Sequence, residues 1–388
     1  MAATGWLTTT DGNLTGALVQ ALRALLEAGL VDALLVPQAT PAGDNVVPTL
    51  VARPDRLERV APLAPAFPVN GATVAARLTK TLPEGRVGVF LRACEIRGLV
   101  ELAKLKQVQV ERLFVIGADC LGAYPVTTYA ALAAQGDPTA PLLQAAAEAR
   151  MAPAPGTAFR EACQICEQPV PGRYALEGTR TPYQPDLAFG LFGAPLPDKV
   201  LVEAREARVL EVLGAEPGGP PPEREAAIAR LVQERTAARD AAFAALRTRL
   251  DGLEGLLEVF STCIRCHNCM VNCPICYCPE CIFRTATFDH LSTQYLDWAR
   301  RKGAIRMPTD TLLFHLTRLN HMATSCVGCG MCTEACPSGI AVGTVFRAVG
   351  QQVQALFAYL PGRSLEEEVP LATFREDELT ALGEGYLG

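Results

Sequence analysis

The stretch CVGCGMCTEACP, residues 326–337, decides how the C-terminal part of this chain folds. Its cysteines have the spacing Cys-x2-Cys-x2-Cys-x3-Cys and are followed directly by proline. The same spacing occurs earlier, in CIRCHNCMVNCP at residues 263–274. Four thiolates at these intervals are the ligand pattern of 4Fe-4S clusters. Two copies in one chain therefore predict two clusters that can pass electrons to each other.

The bacterial ferredoxin run also predicts how the two copies share their ligands. The first three cysteines of a run surround one cluster, and the fourth ligates the other cluster of the pair. One predicted ligand set is Cys263, Cys266, Cys269 and Cys336. The other predicted set is Cys326, Cys329, Cys332 and Cys273. Zinc is the alternative, although it prefers two separated Cys-x2-4-Cys pairs.

Length, charge and cysteine content limit the class of protein. The 388 residues exceed a typical single domain, so two or three units are expected. The net charge is −6 and no segment carries a long run of Lys and Arg residues, which argues against a nucleic-acid partner. The sequence predicts no signal peptide and no membrane span. Fifteen cysteines without an export signal indicate metal chemistry in the cytoplasm.

The first half of the chain alternates helical and strand-like patterns, which predicts an α/β domain. Its clearest strands are predicted at 46–51, 87–91 and 113–116. A long helical pattern covers 223–250, and the cysteine-rich module after it resembles the helical ferredoxin units of heterodisulfide reductase and succinate dehydrogenase. The predicted units are an α/β domain, a linker with the long helix, a mostly helical two-cluster domain, and a C-terminal helix with a tail, at 1–195, 196–255, 256–345 and 346–388.

A third set of cysteines lies in the α/β part. Cys94 and Cys120 each follow a predicted strand, which places both at one edge of the sheet, where open α/β sheets hold their sites. Cys163 and Cys166 come from a loop. Four thiolates at one edge would suit a third 4Fe-4S cluster. Buried free cysteines are the alternative that spacing leaves open.

Three cysteine-bearing segments carry a family resemblance. LRACEIRGLVELAKLKQ (91–107), VIGADCLGAYP (115–125) and REACQICEQPVP (160–171) resemble the β subunits of coenzyme F420-reducing hydrogenase and F420-dependent formate dehydrogenase. The likeness covers roughly residues 8–200. It implies that the third set ligates a cluster and that the chain carries flavin adenine dinucleotide (FAD). It further implies a partner, the catalytic subunit of a formate dehydrogenase or hydrogenase, and a two-electron carrier such as F420.

Flavin contacts are expected where the helix from residue 14 begins, because a helix N-terminus favours a pyrophosphate. The candidates are Thr9, Thr10, Asp11, Gly12 and Asn13. A plain N-cap turn is the alternative. Arg92 is a further candidate contact for flavin or for the acidic tail of F420, with a surface salt bridge as its alternative. Archaeal relatives have a Cys-Gln-Asp-Gly-Gly run here, of which this chain keeps only Asp11 and Gly12.

These observations favour an iron–sulfur flavoprotein that moves electrons between a carrier and a catalytic subunit. A flavin could accept the carrier's two electrons together and release them singly to clusters. The alternative functions are a flavin-free adaptor that relays single electrons, and a zinc-rich scaffold. The sequence leaves Cys276, Cys278 and Cys281 without an assigned role.

Overall fold

The N-terminal half forms a mixed α/β sheet. The computed structural model of the protein describes residues 3–81, 84–174 and 181–372. The strands in these ranges are β1 (Ala3–Thr8), β2 (Ala33–Ala39), β3 (Val46–Val51), β4 (Val87–Leu91), β5 (Leu113–Ala118), β6 (Leu187–Gly190), β7 (Lys199–Ala204) and β8 (Glu216–Pro217). They form one sheet in the order β3-β2-β4-β5-β6-β7-β1-β8. Strands β2, β4, β5 and β6 are parallel, and the remaining pairings are antiparallel.

The centre of this sheet is apolar on both faces. Every residue of β4 (VGVFL) and of β5 (LFVIGA) is buried. Continuous apolar strands are typical of parallel sheets whose two faces are covered by helices. The helices of this half are α1 (Leu14–Glu27), α2 (Gly71–Thr81), α3 (Ala93–Lys104), α4 (Val126–Ala133), α5 (Ala140–Ala147), α6 (Glu161–Gln164) and α7 (Ala207–Leu213).

The region beyond α7 and β8 is helical. It comprises α8 (Arg224–Arg249), α9 (Gly252–Val259), α10 (Asn268–Val271), α11 (Ser292–Lys302), α12 (Thr311–Met322), α13 (Met331–Glu334) and α14 (Val342–Leu356). One hydrophobic cluster joins it to the sheet domain, because Leu99 and Val100 of α3 share a core with Phe243 of α8 and Phe346 of α14. The predicted combination of an α/β domain and a helical region is confirmed.

Two elements cross the predicted unit boundaries, and the division into units stays a prediction. The α/β unit was expected to end at residue 195, but β7 pairs with β1 over six residues and β8 pairs with β1 beyond it. The sheet therefore extends to Pro217. The C-terminal helix was expected from residue 346, yet α14 already begins at Val342. Its first turn packs into the core through Val342 and Val345, which fixes the earlier start.

The segment after α14 returns to the sheet domain. Tyr359 donates from its hydroxyl to Glu101 Oε1 over 2.6 Å, and the backbone N–H of Gly362 donates to the same oxygen over 2.8 Å. Ser364 Oγ donates to the carbonyl of Thr181. The helical region is thus held against the sheet domain from its far end as well. Among the described helices, none combines the length and the apolar composition needed to span a membrane.

Candidate functional site

The first candidate metal centre draws cysteines from both runs. One cavity is lined by Cys263, Cys266, Cys269 and Cys336, the set that the crossed arrangement predicts. Burial raises the pKa of the Cys269 thiol to about 11, and repulsion from the thiolates of Cys263, Cys266 and Cys336 adds to this rise. Cys336 therefore lies among cysteines of the other run, 67 positions from Cys269 along the chain (336 minus 269).

The second candidate centre mirrors the first. Burial raises the pKa of Cys326 to about 11 and that of Cys329 to about 12, and in both cases the Cys273 thiolate raises it further. Burial and Cys273 also raise the pKa of Cys332 well above its usual value. Cys273 of the first run therefore lies with the first three cysteines of the second run.

The backbones of the two runs fold alike. Gly328 and Gly330 have φ angles of 71° and 71°, and the corresponding residues of the first run, Arg265 and His267, have φ angles of 54° and 63°. Non-glycine residues adopt this left-handed conformation at a cost. Glycine is needed in the second run, because a Cβ on Gly330 would lie 2.3 Å from Cβ of Ala162. The first run has no such neighbour and carries side chains at both positions.

The third candidate centre lies at the carboxyl edge of the parallel strands. Cys94 is on the first turn of α3 behind β4, Cys120 follows β5, and Cys163 is on α6. Burial raises the pKa of Cys120 to about 12, with Cys163 and Cys166 adding to the rise. Burial raises the pKa of Cys94 as well, with contributions from Cys120 and Cys166. The structure thus brings together the four cysteines that the sequence predicted to meet.

Arginines that are buried or half-buried surround these thiols. Arg92 donates to the carbonyl of Ala64 over 2.7 Å, and its positive charge partly offsets the rise in the pKa of Cys120 that burial causes. Arg235 donates to the carbonyl of Gln164 over 2.8 Å, and Arg347 donates to the carbonyl of Ile165 over 2.8 Å. Arg160, with 1 % of its side chain exposed, donates to the carbonyl of Cys329 over 2.6 Å. These cations would compensate the negative charge of thiolate-bound iron.

The second and third centres adjoin each other. Cys94, Cys163 and Cys329 all pack against a small cluster formed by Phe67, Ala123 and Met331. The thiolate of Cys329 also contributes to the raised pKa of Cys94. Arg160 stands at this junction, because its guanidinium lies 4.8 Å from the ring centroid of Phe67.

The chemistry of the thiol sets fits an iron–sulfur cluster. The raised pKa values mean that these buried thiols stay protonated at neutral pH unless a metal ion deprotonates them. In the described ranges, no three His, Cys, Asp or Glu side chains converge tightly enough to hold a single metal ion. A 4Fe-4S cluster makes a different demand, because its four thiolates bind four different iron atoms.

Sequence reasoning missed the polar neighbours of the first centre. His315 Nε2 lies 3.3 Å from Cys263 Sγ, and its ring stacks on Phe260 with centroids 3.8 Å apart. Burial lowers the pKa of His315 to about 3, so the imidazole is neutral. Arg318 donates to Cys269 Sγ. Both residues lie on α12, 11 and 8 positions before Cys326, the nearest cysteine of either run, and only an amphipathic pattern marked that helix.

The expected flavin contacts are largely engaged within the protein. Asn13 Oδ1 accepts from the backbone N–H of Gly16 over 2.8 Å and caps α1, and Thr9 Oγ1 donates to the carbonyl of Pro197 over 2.9 Å. Asp11 and Gly12 form a turn with φ angles of 52° and 68°. Thr10 precedes this turn. In the sheet, β1 lies four strands from β4, roughly 19 Å away.

Arg92 belongs to the third centre rather than to that turn. It also forms an ion pair with Glu95, with 3.7 Å between Nη1 and Oε2. It lines a cavity with Phe90, Leu91 and Glu95 at the edge of the sheet. The expected surface salt bridge is thus a partly buried one beside Cys94.

The three remaining cysteines share another cavity. Cys276, Cys278 and Cys281 line it together with Cys273. Cys281 Sγ lies 3.5 Å from Met270 Sδ, and Cys278 is exposed. Burial raises the pKa of Cys276 to about 11.

Comparisons with known proteins match these features. Residues 258–340 match the family described as 4Fe-4S dicluster domain. The F420-dependent formate dehydrogenase subunit beta of Methanocaldococcus jannaschii is 26 % identical over 376 residues, which cover 89 % of this chain and 91 % of that protein. The F420-dependent formate dehydrogenase 1 subunit beta of Methanococcus maripaludis is 24 % identical over 388 residues and covers 93 % of each chain.

A solved structure of the F420-reducing NiFe hydrogenase complex from Methanosarcina barkeri contains a chain with a TM-score of 0.43 and 13 % identity, covering 63 % of this chain and 92 % of that one. The two formate dehydrogenase subunits are similar to this chain over both of its halves. The resemblance predicted from the sequence is confirmed: this chain is a homologue of the proteins named F420-dependent formate dehydrogenase subunit beta.

Proposed function

We propose that this chain is the electron-transfer subunit of an oxidoreductase complex. It moves electrons between a two-electron carrier, coenzyme F420 or an analogue, and the catalytic subunit of a formate dehydrogenase or hydrogenase. The relatives named above support this role, because they are subunits of F420-dependent formate dehydrogenases. The 4Fe-4S dicluster match supports iron–sulfur clusters as the electron path.

The observation that carries the proposal is the serial arrangement of three four-thiol sets. Cys94 of the third centre adjoins Cys329 of the second. Arg318 interacts electrostatically with Cys269 of the first centre and with Cys273 of the second. We assign one 4Fe-4S cluster to each set. The ligands are Cys94, Cys120, Cys163 and Cys166; Cys273, Cys326, Cys329 and Cys332; and Cys263, Cys266, Cys269 and Cys336. Electrons would pass along this series from one set to the next.

The outer end of the series is the first centre. Cys266 is exposed, and Ile264 beside it has 61 % of its surface exposed. The inner end lies at the sheet edge, where the arginines around Cys94 and Cys120 would attract an anionic carrier. We therefore place the catalytic subunit at the first centre and the carrier at the third.

FAD, when bound, would accept two electrons from the carrier and deliver them singly. Arg92 and the turn from Thr9 to Asn13 are its candidate contacts, at the same edge of the sheet. The internal hydrogen bonds of Thr9 and Asn13 favour a second candidate function, a flavin-free adaptor that relays single electrons. Flavin content separates the two functions.

The test is to measure iron, acid-labile sulfide and flavin on anaerobically purified chain, and then to add reduced F420. About twelve irons, about one flavin and bleaching of the cluster absorbance support the proposal. About twelve irons without flavin after reconstitution, and no bleaching by reduced F420 or NADH, support the adaptor. A chain that retains neither iron nor sulfide after anaerobic reconstitution contradicts both.

Replacing Cys94 tests the third cluster. Cys94→Ala removes one of four thiolates from a buried site, so we expect iron to fall from about twelve to about eight per chain. Dithionite should still reduce the two remaining clusters, whereas reduced F420 should not. Cys278→Ala is the matched control, because Cys278 is exposed and outside the three sets. An unchanged iron content in Cys94→Ala would remove this cysteine from the ligands.

A further inference from the structure

A buried arginine stands between the first and second centres. Arg318 on α12 has 3 % of its surface exposed. Its Nη1 donates to Cys269 Sγ over 3.1 Å, and its Nη2 donates to the carbonyl of Cys269 over 3.0 Å. The guanidinium carbon lies 4.9 Å from the ring centroid of Phe346, which helps to fix its orientation. The two hydrogen bonds and the ring leave this side chain little freedom.

The charge of Arg318 is compensated by sulfur rather than by a carboxylate. In the described parts of the chain, the ion pairs within 4.0 Å of Asp or Glu do not include Arg318. The helix that carries Arg318 touches both centres: Arg318 donates to Cys269 Sγ of the first, and Met322, one turn further along, has its Sδ 3.7 Å from Cys273 Sγ of the second. A buried charge without compensation is strongly destabilising. With the clusters bound, their ligating thiolates would act as the counter-ions of this arginine.

A cluster gains one negative charge when it accepts an electron. A fixed positive charge nearby stabilises that reduced form more than the oxidised form, and so does a hydrogen bond to a ligating sulfur. Cys269 ligates the first cluster in the proposed assignment, while Cys273 and Cys332 ligate the second. One side chain therefore acts on both clusters at once, through a hydrogen bond to the first and through its charge on the second.

We infer that Arg318 raises the reduction potentials of both the first and the second cluster, through a hydrogen bond to a ligand of the first and through its positive charge beside the second. The inference rests on the proposed function, because it needs both clusters in place. It assigns Arg318 no contact with a carrier or a substrate. Arg318 acts through the ligands and is a tuning residue.

The test is an EPR-monitored redox titration of the anaerobically purified full chain with dithionite. In Arg318→Gln we expect both ferredoxin-type clusters to become harder to reduce. At the wild-type midpoint the ratio of reduced to oxidised cluster should fall about tenfold, which corresponds to 59 mV for one electron. In Arg318→Lys, which keeps the charge but loses the two-pronged contact with Cys269, the shift should be confined to the first cluster. Arg300→Gln removes an exposed positive charge on α11 and should shift neither.

Cluster content separates this inference from the proposed function. Iron and sulfide are measured on the same samples, so a wild-type chain without clusters overturns the proposed function before any potential is read. Full cluster content with unchanged potentials in both Arg318 variants overturns the inference alone. If Arg318→Gln fails to assemble clusters, Arg318→Lys decides. A lysine variant with full clusters and a wild-type potential at the first cluster would overturn the inference, because the hydrogen bond to Cys269 would then have no effect on that potential.

Discussion

Replacing Cys263 and Cys336 together is expected to abolish one 4Fe-4S cluster and to leave its neighbour intact, although the two cysteines belong to different runs. Replacing Cys326 and Cys336 together, which belong to the same run, is expected to damage both clusters. The reason is the crossed arrangement, in which Cys336 lines the cavity of the first run. Each double variant removes two thiolates, so a difference between them reports only how ligands are shared.

Iron analysis and EPR spectroscopy of the reduced chain measure this difference. Cys263→Ala/Cys336→Ala should retain about eight irons and one intact ferredoxin-type signal, and Cys326→Ala/Cys336→Ala should retain about four irons and neither of the two signals. Cys278→Ala/Cys281→Ala is the control for the loss of two thiols outside the sets. The reverse result, with the signal surviving in the same-run variant, would show that each run holds its own cluster.

The second large effect is expected from a buried ion pair behind the third centre. Asp119 and Arg224 each have 2 % of their side chain exposed. Asp119 Oδ2 accepts from Arg224 Nη1 over 2.8 Å and from the backbone N–H groups of Leu191 and Phe192. Asp119→Ala leaves the arginine buried without its counter-ion and two N–H groups without an acceptor. We expect a loss of about 3–5 kcal/mol of unfolding free energy.

Urea unfolding followed by circular dichroism measures this loss on anaerobically prepared chain. Asp297→Ala is the matched control, because its pair with Arg300 is exposed and worth at most about 1 kcal/mol. The double variant Asp119→Leu/Arg224→Met removes both charges and should recover much of the stability. A single variant that unfolds within about 1 kcal/mol of wild type would contradict the buried-charge argument. Because Asp119 precedes Cys120, we also expect the third cluster to be lost first.

The sequence predicts the parts of this molecule that are encoded locally. The strands at 46–51 and 87–91 agree with the structure residue by residue, because short apolar β-branched runs between turn residues leave few alternatives. The cysteine spacing, from which the shared ligand sets are predicted, is also contained within each short run. By contrast, β1 (ATGWLT) has no apolar alternation and was not predicted, since its strand character comes from pairing with β7 some 195 residues away. A short stretch of sequence around β1 does not contain the strand that it pairs with.

The arginines around the clusters illustrate the same limit at the site. Arg160, Arg318 and Arg347 lie in segments whose local pattern indicates only helices or turns. Arg160 and Arg318 are buried and Arg347 is half-buried, because the charge of each meets thiols or carbonyls that the fold brings from distant positions. From the sequence alone, these arginines look like ordinary charged residues of the protein surface. Only the three-dimensional arrangement shows that the cysteine sets and the buried cations occur together.

The crossing of the two runs has a consequence for how this protein tolerates change in length. In the proposed assignment each cluster links cysteines of the first run to cysteines of the second run. The 52 residues between Cys273 and Cys326 therefore form a loop whose two ends are held together. Closing a loop of this size once costs about 4 kcal/mol of chain entropy, by analogy with a disulfide. Doubling the loop would add only about 0.6 kcal/mol. Cluster binding therefore fixes the two ends of this loop. Changes in the length of α11 and its flanking segments should cost little stability.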